Sequence, residues 1–158
     1  MRKSRKPNMR AVGQRARLSS IEQKMINDYR ANNEEERVLI IGDTHCPFDM
    51  DTYIDFLEDT YNKYRCNRVV HIGDELDHHY SSYHETDANG LGGGDELAIA
   101  KKRLARYYKV FPDVDVIIGN HSRLIMRKAQ SGGIPREWMR EYNDVLGVPN
   151  WNFHTEME

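Results

Sequence analysis

The sequence predicts an α/β protein in which a β-α-β-α-β alternation builds a parallel sheet with helices on its faces. Three short apolar runs, at residues 38–41, 69–72 and 114–118, are typical of strands, and each ends in a glycine followed by a polar residue. Segments 50–64 and 95–108, which have helical spacing of apolar residues, separate the runs. Right-handed crossovers place the carboxyl ends of parallel strands at one sheet edge, where ligands of open α/β sheets bind.

Composition narrows the class of protein. The chain has 158 residues, 39% apolar and 30% charged, which suits about one domain. It has no apolar run long enough to span a bilayer and no apolar stretch of the kind a secretory signal needs, so we expect a cytoplasmic protein. Cys46 and Cys66 are too few for a disulfide framework and too far apart for a CxxC metal clip, so both should be reduced.

The first part of the chain has a composition of its own. Residues 1–17 carry seven Lys or Arg and no acid, so residues 1–18 are predicted to be a basic disordered arm. The arm is either a solvated tail or a contact for nucleic acid phosphates. Residues 19–36 are predicted to form an amino-terminal helix, because Ser19 and Glu22 have capping-box spacing and apolar residues follow at helical intervals.

The sequence also predicts the conformation of two further segments, residues 38–41 and 90–94. The run at 38–41 is continuously apolar, which favours a strand buried on both faces. Residues 90–94 read Gly-Leu-Gly-Gly-Gly and are predicted to be a flexible loop. A phosphate cradle is the alternative, although no Lys-Ser/Thr pair follows the glycines.

Polar side chains with metal-binding or acid-base chemistry follow each predicted strand. Glycine before each polar residue would let the chain turn sharply, so the three turns should converge. The resulting oxygen and nitrogen set suits Mn, Fe or Zn rather than thiolate-seeking metals. The residues are Asp43 and His45 after the first strand, Asp74 after the second, and Asn120 and His121 after the third.

These turns resemble, in order, the GDxH, GDxxD and GNH motifs of calcineurin-like metallophosphoesterases. The matching residues are Gly42-Asp43-Thr44-His45, Gly73-Asp74-Glu75-Leu76-Asp77 and Gly119-Asn120-His121. The resemblance covers roughly residues 37–123 and implies the layered α/β fold of that family. It also implies that Asp43 and His45 bind a first metal, Asp74 bridges two metals, Asn120 binds the second, and His121 is the catalytic histidine facing the substrate.

The resemblance implies a reaction as well. Two divalent ions, Mn before Fe, Zn or Ni, would activate a water that attacks a phosphomonoester or phosphodiester in line. His121 would protonate or stabilise the leaving group. Asp77 would support the site from outside the ligand set, since carboxylates behind a metal site often orient a ligating histidine.

Other polar residues near the motifs have two interpretations each. His71 lies within a strand pattern, which favours a hydrogen-bonded core histidine over a supporting role at the site. Arg123 would either grip phosphate oxygens or pair with surface carboxylates. Three further histidines would contact substrate phosphate or simply be solvated; they are His78, His79 and His84.

The sequence departs from the family pattern in two places. Ser122 stands where many members carry Asp or Glu. The later isolated His and GHxH motif, which usually come from a second sheet, are missing from domain 37–158, and the context of His154 matches neither. We therefore expect the second sheet to be incomplete. The chain would then be a fragment of a longer enzyme, a split half whose second polypeptide supplies the missing histidines, or a metal-poor derivative. The alternative function is that of an inactive or regulatory nucleic-acid-binding protein that keeps the fold.

The basic arm and the sequence Gly119-Asn120-His121-Ser122 resemble those of bacteriophage-encoded members of the family. A phage origin would place the protein in the host cytoplasm.

Overall fold

The computed structural model describes residues 19–32, 35–82, 85 and 87–157, in two compact units, Met1–Glu35 and Glu36–Glu158. The first unit contains helix α1 (Ser20–Asn32). Its capping box is confirmed: the N–H of Glu22 donates to Ser19 Oγ at 3.2 Å, and the N–H of Ser19 donates to Glu22 Oε2 at 2.7 Å. The predicted basic arm lies outside the described residues.

The second unit is built on a parallel sheet with strand order β1-β2-β3-β4, which confirms the predicted fold class. Ile41 of β1 pairs with His71 of β2, and His71 pairs with Val116 of β3. The carboxyl ends of these strands therefore reach one edge at similar heights. The strands are β1 (Val38–Ile41), β2 (Arg68–His71), β3 (Asp115–Ile117) and β4 (Asn152–His154).

The helices of this unit confirm the predicted alternation and add two elements. They are α2 (Tyr53–Tyr64), α3 (Gly93–Val110), α4 (Ser122–Ser131) and α5 (Tyr142–Leu146), with short 3₁₀ helices at His79–Ser81 and Arg136–Trp138. The interpretation of residues 90–94 as a loop is wrong for the last two glycines, because α3 begins at Gly93. Asp95 and Glu96 in its first turn favour that start electrostatically.

The sheet buries one face much better than the other. The core face of β1 carries Leu39 and Ile41, whereas Val38 and Ile40 remain 38% and 63% exposed. The prediction that β1 is buried on both faces is therefore wrong, because alternate side chains of a strand point to opposite faces and only one face meets the core. The core cluster also includes Ile54 and Leu57 of α2, Leu104 and Tyr107 of α3, and Trp151.

The other face of the sheet carries a charged row. Arg68 of β2 donates to Asp115 Oδ2 of β3 at 3.0 Å, and His154 Nε2 of β4 lies 3.1 Å from Asp115 Oδ1. This row links three strands side by side. Both cysteines are free, as predicted, and no helix within the described ranges is long and apolar enough to cross a membrane.

Candidate metal centre

Three turns leave the sheet at its carboxyl edge: the first turn (residues 42–46), the second turn (73–77) and the third turn (119–121). The first two are joined along their backbones. The N–H of His45 donates to Asp74 O at 2.9 Å, and the N–H of Cys46 donates to Glu75 O at 3.0 Å. Cys46 and Leu76 form a parallel bridge beyond the strands. His45 and Asp74 are thus fixed beside each other by main-chain bonds.

Glycine allows the second and third turns to approach closely. Gly73 has φ +107°, and a Cβ there would lie 2.6 Å from Ile117 O and 2.7 Å from Gly119 N. A Cβ on Gly119 would overlap the carboxylate of Asp74. Each glycine therefore leaves space that the other turn occupies.

The first turn does not depend on its glycine, contrary to the expectation from sequence. A Cβ on Gly42 would meet only Tyr53 Oη, at 4.0 Å. The left-handed residue of this turn is His45, with φ +46°, and Asp74 has φ +52° in the second turn. Left-handed backbone at non-glycine residues costs free energy and is concentrated at functional sites.

His45, Asp74 and His121 form a group that could hold a metal ion. One ligand atom from each residue lies within 4.8 Å of the others. The two imidazole rings meet edge to face with centroids 4.6 Å apart, and Asp74 is buried. Two imidazole nitrogens and a carboxylate suit borderline divalent ions such as Mn²⁺, Fe²⁺ and Zn²⁺.

Asp77 orients both imidazoles. His45 Nδ1 lies 2.8 Å from Asp77 Oδ1, and His121 Nδ1 lies 2.5 Å from the backbone oxygen of Asp77. Since both partners are acceptors, both Nδ1 atoms carry the proton when the rings are neutral. The Nε2 lone pair of each ring is then available to a metal or a substrate, which is how carboxylates and carbonyls support ligating histidines.

The Asp74 carboxylate is bound by backbone N–H groups at the end of the third turn and the start of α4. Asp74 Oδ1 accepts the N–H groups of His121 at 2.7 Å and Ser122 at 3.4 Å. The amide of Asn120 lies against the same carboxylate: with its NH₂ toward Asp74 Oδ2 the distance is 3.1 Å. With the amide reversed, its oxygen faces the carboxylate, an arrangement that a cation between them would stabilise. Asp43 is exposed and lies outside the group of three.

Two buried histidines lie behind these turns. His71 is fully buried; its Nδ1 accepts the N–H of Gly73 at 3.1 Å and its Nε2 lies 3.2 Å from Thr44 Oγ1. Burial lowers the pKa of His71 to about 4, so the ring is neutral and matches the core interpretation. Burial, followed by the charge of His121, also lowers the pKa of His78 to about 4.

Glu75 is a residue that the sequence interpretation left without a role. Its side chain is fully buried, and Ser122 Oγ donates to its Oε2 at 2.7 Å. Burial raises the pKa of the Glu75 carboxyl. Its position directly after Asp74 was visible in the sequence, but its pairing with Ser122 was not, because the two residues lie 47 positions apart.

The remaining candidates lie around the centre. Arg123 donates to the backbone oxygen of Thr155 at 3.1 Å. His154 belongs to the charged row on the sheet and is not one of the three clustered residues. His79 is half-buried in the 3₁₀ helix that follows the second turn, and His84 lies outside the described residues.

A parallel sheet whose strand-end turns gather two oriented imidazoles and a carboxylate defines an α/β domain with a candidate metal centre. The sequence model of the calcineurin-like phosphoesterase family matches residues 36–156, and the chain belongs to this family. Searches of curated proteins and of solved structures found no match. The family match extends past the three motifs and includes α5 and β4.

Proposed function

We propose that this protein hydrolyses a phosphomonoester or phosphodiester with divalent metal ions held at the three turns. The observation that carries the proposal is the group formed by His45, Asp74 and His121, with both imidazoles oriented by Asp77. Membership of the calcineurin-like phosphoesterase family supports the same reaction class.

The donor set fits a divalent ion. His45 offers Nε2, Asp74 offers the carboxylate oxygen that faces Asn120, and the Asn120 amide can present its own oxygen. We propose that Asp43, exposed on the first turn, completes the site of a first ion and that Asn120 holds a second. Bound divalent ions would polarise a phosphoryl oxygen and lower the pKa of water, with Mn²⁺ as the expected metal.

His121 is the proposed catalytic residue. Its Nδ1 is tied to Asp77 O, so its Nε2 is the atom that faces the centre. A protonated Nε2 would donate to the leaving oxygen as the bond to phosphorus breaks, which requires a ring held at a fixed angle. The contact with Asp77 supplies that restraint.

Leaving-group dependence tests this role. His121→Asn should lower kcat about 10²- to 10⁴-fold on an alkyl phosphoester, whose alkoxide needs a proton, and much less on p-nitrophenyl phosphate. Mn²⁺ affinity, measured by equilibrium dialysis, should change only a few-fold. If the affinity instead falls as far as in Asp74→Asn, His121 is a metal ligand and the proposed role is wrong.

Substrate class is tested with matched esters. Initial rates on p-nitrophenyl phosphate and bis-p-nitrophenyl phosphate, with and without Mn²⁺, separate monoesterase from diesterase activity. We expect metal-dependent turnover of at least one ester that Asp74→Asn abolishes. Turnover that persists in Asp74→Asn would overturn the proposal by placing the activity outside this centre. No turnover of either ester with Mn²⁺ bound would overturn it in favour of a non-enzymatic role.

A further inference from the structure

We propose that Glu75 is a positioning residue that sets the start of α4 against the second turn and so holds Asp74 in its metal-binding position with His121 beside it. The proposal rests on the proposed function of the centre. Glu75 itself does not belong to the group of three, and its carboxyl acts through Ser122.

Ser122 is the first residue of α4 and directly follows His121. Its Oγ donates to Glu75 Oε2 at 2.7 Å, its N–H points to Asp74 Oδ1 at 3.4 Å, and its carbonyl accepts Tyr142 Oη at 2.9 Å. Ser122 is fully buried, so none of these groups can exchange its partner for bulk water. The bond to Glu75 joins the side chain of Ser122 to the second turn, in addition to the N–H groups of His121 and Ser122 that point to Asp74 Oδ1.

Glu75 is also anchored to the first turn. Its backbone oxygen accepts the N–H of Cys46 at 3.0 Å and the hydroxyl of Thr44 at 3.2 Å. The residue therefore hydrogen bonds to the first turn through its main chain and to the start of α4 through its side chain. A shift of Glu75 would move the first turn and α4 relative to Asp74.

The burial of this carboxyl argues against a role as core filling. A buried carboxyl pays a desolvation cost that an apolar residue of similar size would avoid. In return it provides a directional side-chain bond between the second turn and the start of α4. An apolar side chain would leave the buried Ser122 hydroxyl without this partner.

Metal affinity of the full chain tests the proposal, with Mn²⁺ as the probe and equilibrium dialysis as the measurement. Glu75→Leu should weaken Mn²⁺ binding about tenfold or more, the lower end of the effect of residues behind a metal site. Glu75→Gln keeps the shape and an acceptor oxygen, and should stay within about threefold of wild type. Leu104→Ala in α3 is the control for general loss of stability and should leave the affinity unchanged.

Two other variants keep the test decisive if Glu75→Leu does not fold. Ser122→Ala removes the same bond with the loss of one oxygen and should also weaken Mn²⁺ binding. Glu75→Ser combined with Ser122→Glu exchanges the partners at nearly constant volume and should bind Mn²⁺ more tightly than Glu75→Ser alone.

The outcomes separate the two proposals. A wild-type chain that does not bind Mn²⁺ contradicts the proposed function. A wild-type chain that binds, with unchanged affinity in Ser122→Ala and in Glu75→Leu, overturns only the role of Glu75. An equal loss in Leu104→Ala would also overturn it, since the effect would then follow stability rather than position.

Discussion

Asp77 Oδ1 lies 2.8 Å from His45 Nδ1, and the backbone oxygen of the same residue receives His121 Nδ1. One residue thus sets the tautomer of both imidazoles at the centre. The side-chain contact can be removed by mutation, whereas the backbone contact remains. This separation makes the two histidines experimentally distinguishable.

Asp77→Asn should weaken Mn²⁺ binding about 10- to 100-fold, because an amide orients His45 less strongly and adds less to its basicity than a carboxylate. His121 keeps its backbone partner in this variant, so the sensitivity of kcat to the leaving group should persist at saturating metal. Isothermal titration calorimetry with Mn²⁺ measures the change. Asp113→Asn, in an exposed loop, is the matched control, and equal affinities in the two variants would contradict the role of Asp77.

Gly119→Ala should destabilise the protein by about 1–3 kcal/mol and abolish tight Mn²⁺ binding. The added Cβ would lie 2.6 Å from the backbone nitrogen of Asp74 and would overlap its carboxylate. Gly94→Ala is the matched change: its Cβ would meet nothing within 4 Å inside α3, and helix propensity predicts a gain of up to about 1 kcal/mol. Urea unfolding of both variants compares them, and similar midpoints would show that the turns tolerate the methyl group.

Stability should fall on acidification partly through His71. The pKa of this ring is about 4 in the folded chain against 6.5 for a free histidine. A lowered folded pKa means that its contribution is complete above pH 6.5 and is lost as the pH falls from 6.5 towards 4, by about 3 kcal/mol.

The measurement is the difference between wild type and His71→Gln in urea unfolding from pH 7 to pH 4. His78, with a similarly lowered pKa, is present in both proteins, so its effect cancels. We expect a shallower pH dependence in the variant. Parallel curves would mean that His71 does not contribute to the acid sensitivity.

The loop before α2 is fixed to α3 by a buried ion pair. The Asp49 side chain is 2% exposed; it pairs with the Arg103 guanidinium and accepts Tyr107 Oη at 2.9 Å. Arg103→Ala should destabilise the protein by about 3–5 kcal/mol, because it leaves a buried carboxylate without its cation.

Arg106→Ala is the control for this ion pair. Arg106 lies in the same helix and contacts the exposed Asp51, so its removal should cost no more than about 0.5 kcal/mol. Thermal unfolding of the two variants provides the comparison. If both lose the same stability, the Asp49 pair is no stronger than a surface pair.

The sequence predicted correctly those elements that are specified by residues close together in the chain. The runs that form β1, β2 and β3 are short, apolar and rich in branched residues, and the capping residues of α1 are three positions apart. β4 was not predicted because Asn152-Phe153-His154 has one apolar residue and, among the described strands, pairs with β3 alone. The exposed face of β1 was also missed, since a continuous apolar run does not reveal which side a helix covers.

The same distinction applies to the centre. Motif spacing brought attention to His45, Asp74, Asn120 and His121, and to Asp77 as a support, and the structure places all five at neighbouring turns. The bond from Glu75 to Ser122 spans 47 residues, so no local pattern could indicate it. The contact of Arg123 with Thr155 spans 32 residues and was equally outside the reach of a local pattern.

The close approach of Gly73 and Gly119 has a consequence for how this sequence can diverge. Each turn occupies the volume that a larger residue in the other would need, so single substitutions at this edge are penalised whatever their chemistry. The obstructing atoms are backbone atoms of Ile117 and Gly119 and the carboxylate of Asp74, which is already the shortest acidic side chain, so no second side-chain substitution makes room. Residues 73, 74 and 119 should therefore stay fixed as the sequence diverges, whereas the exposed positions of β1 can change.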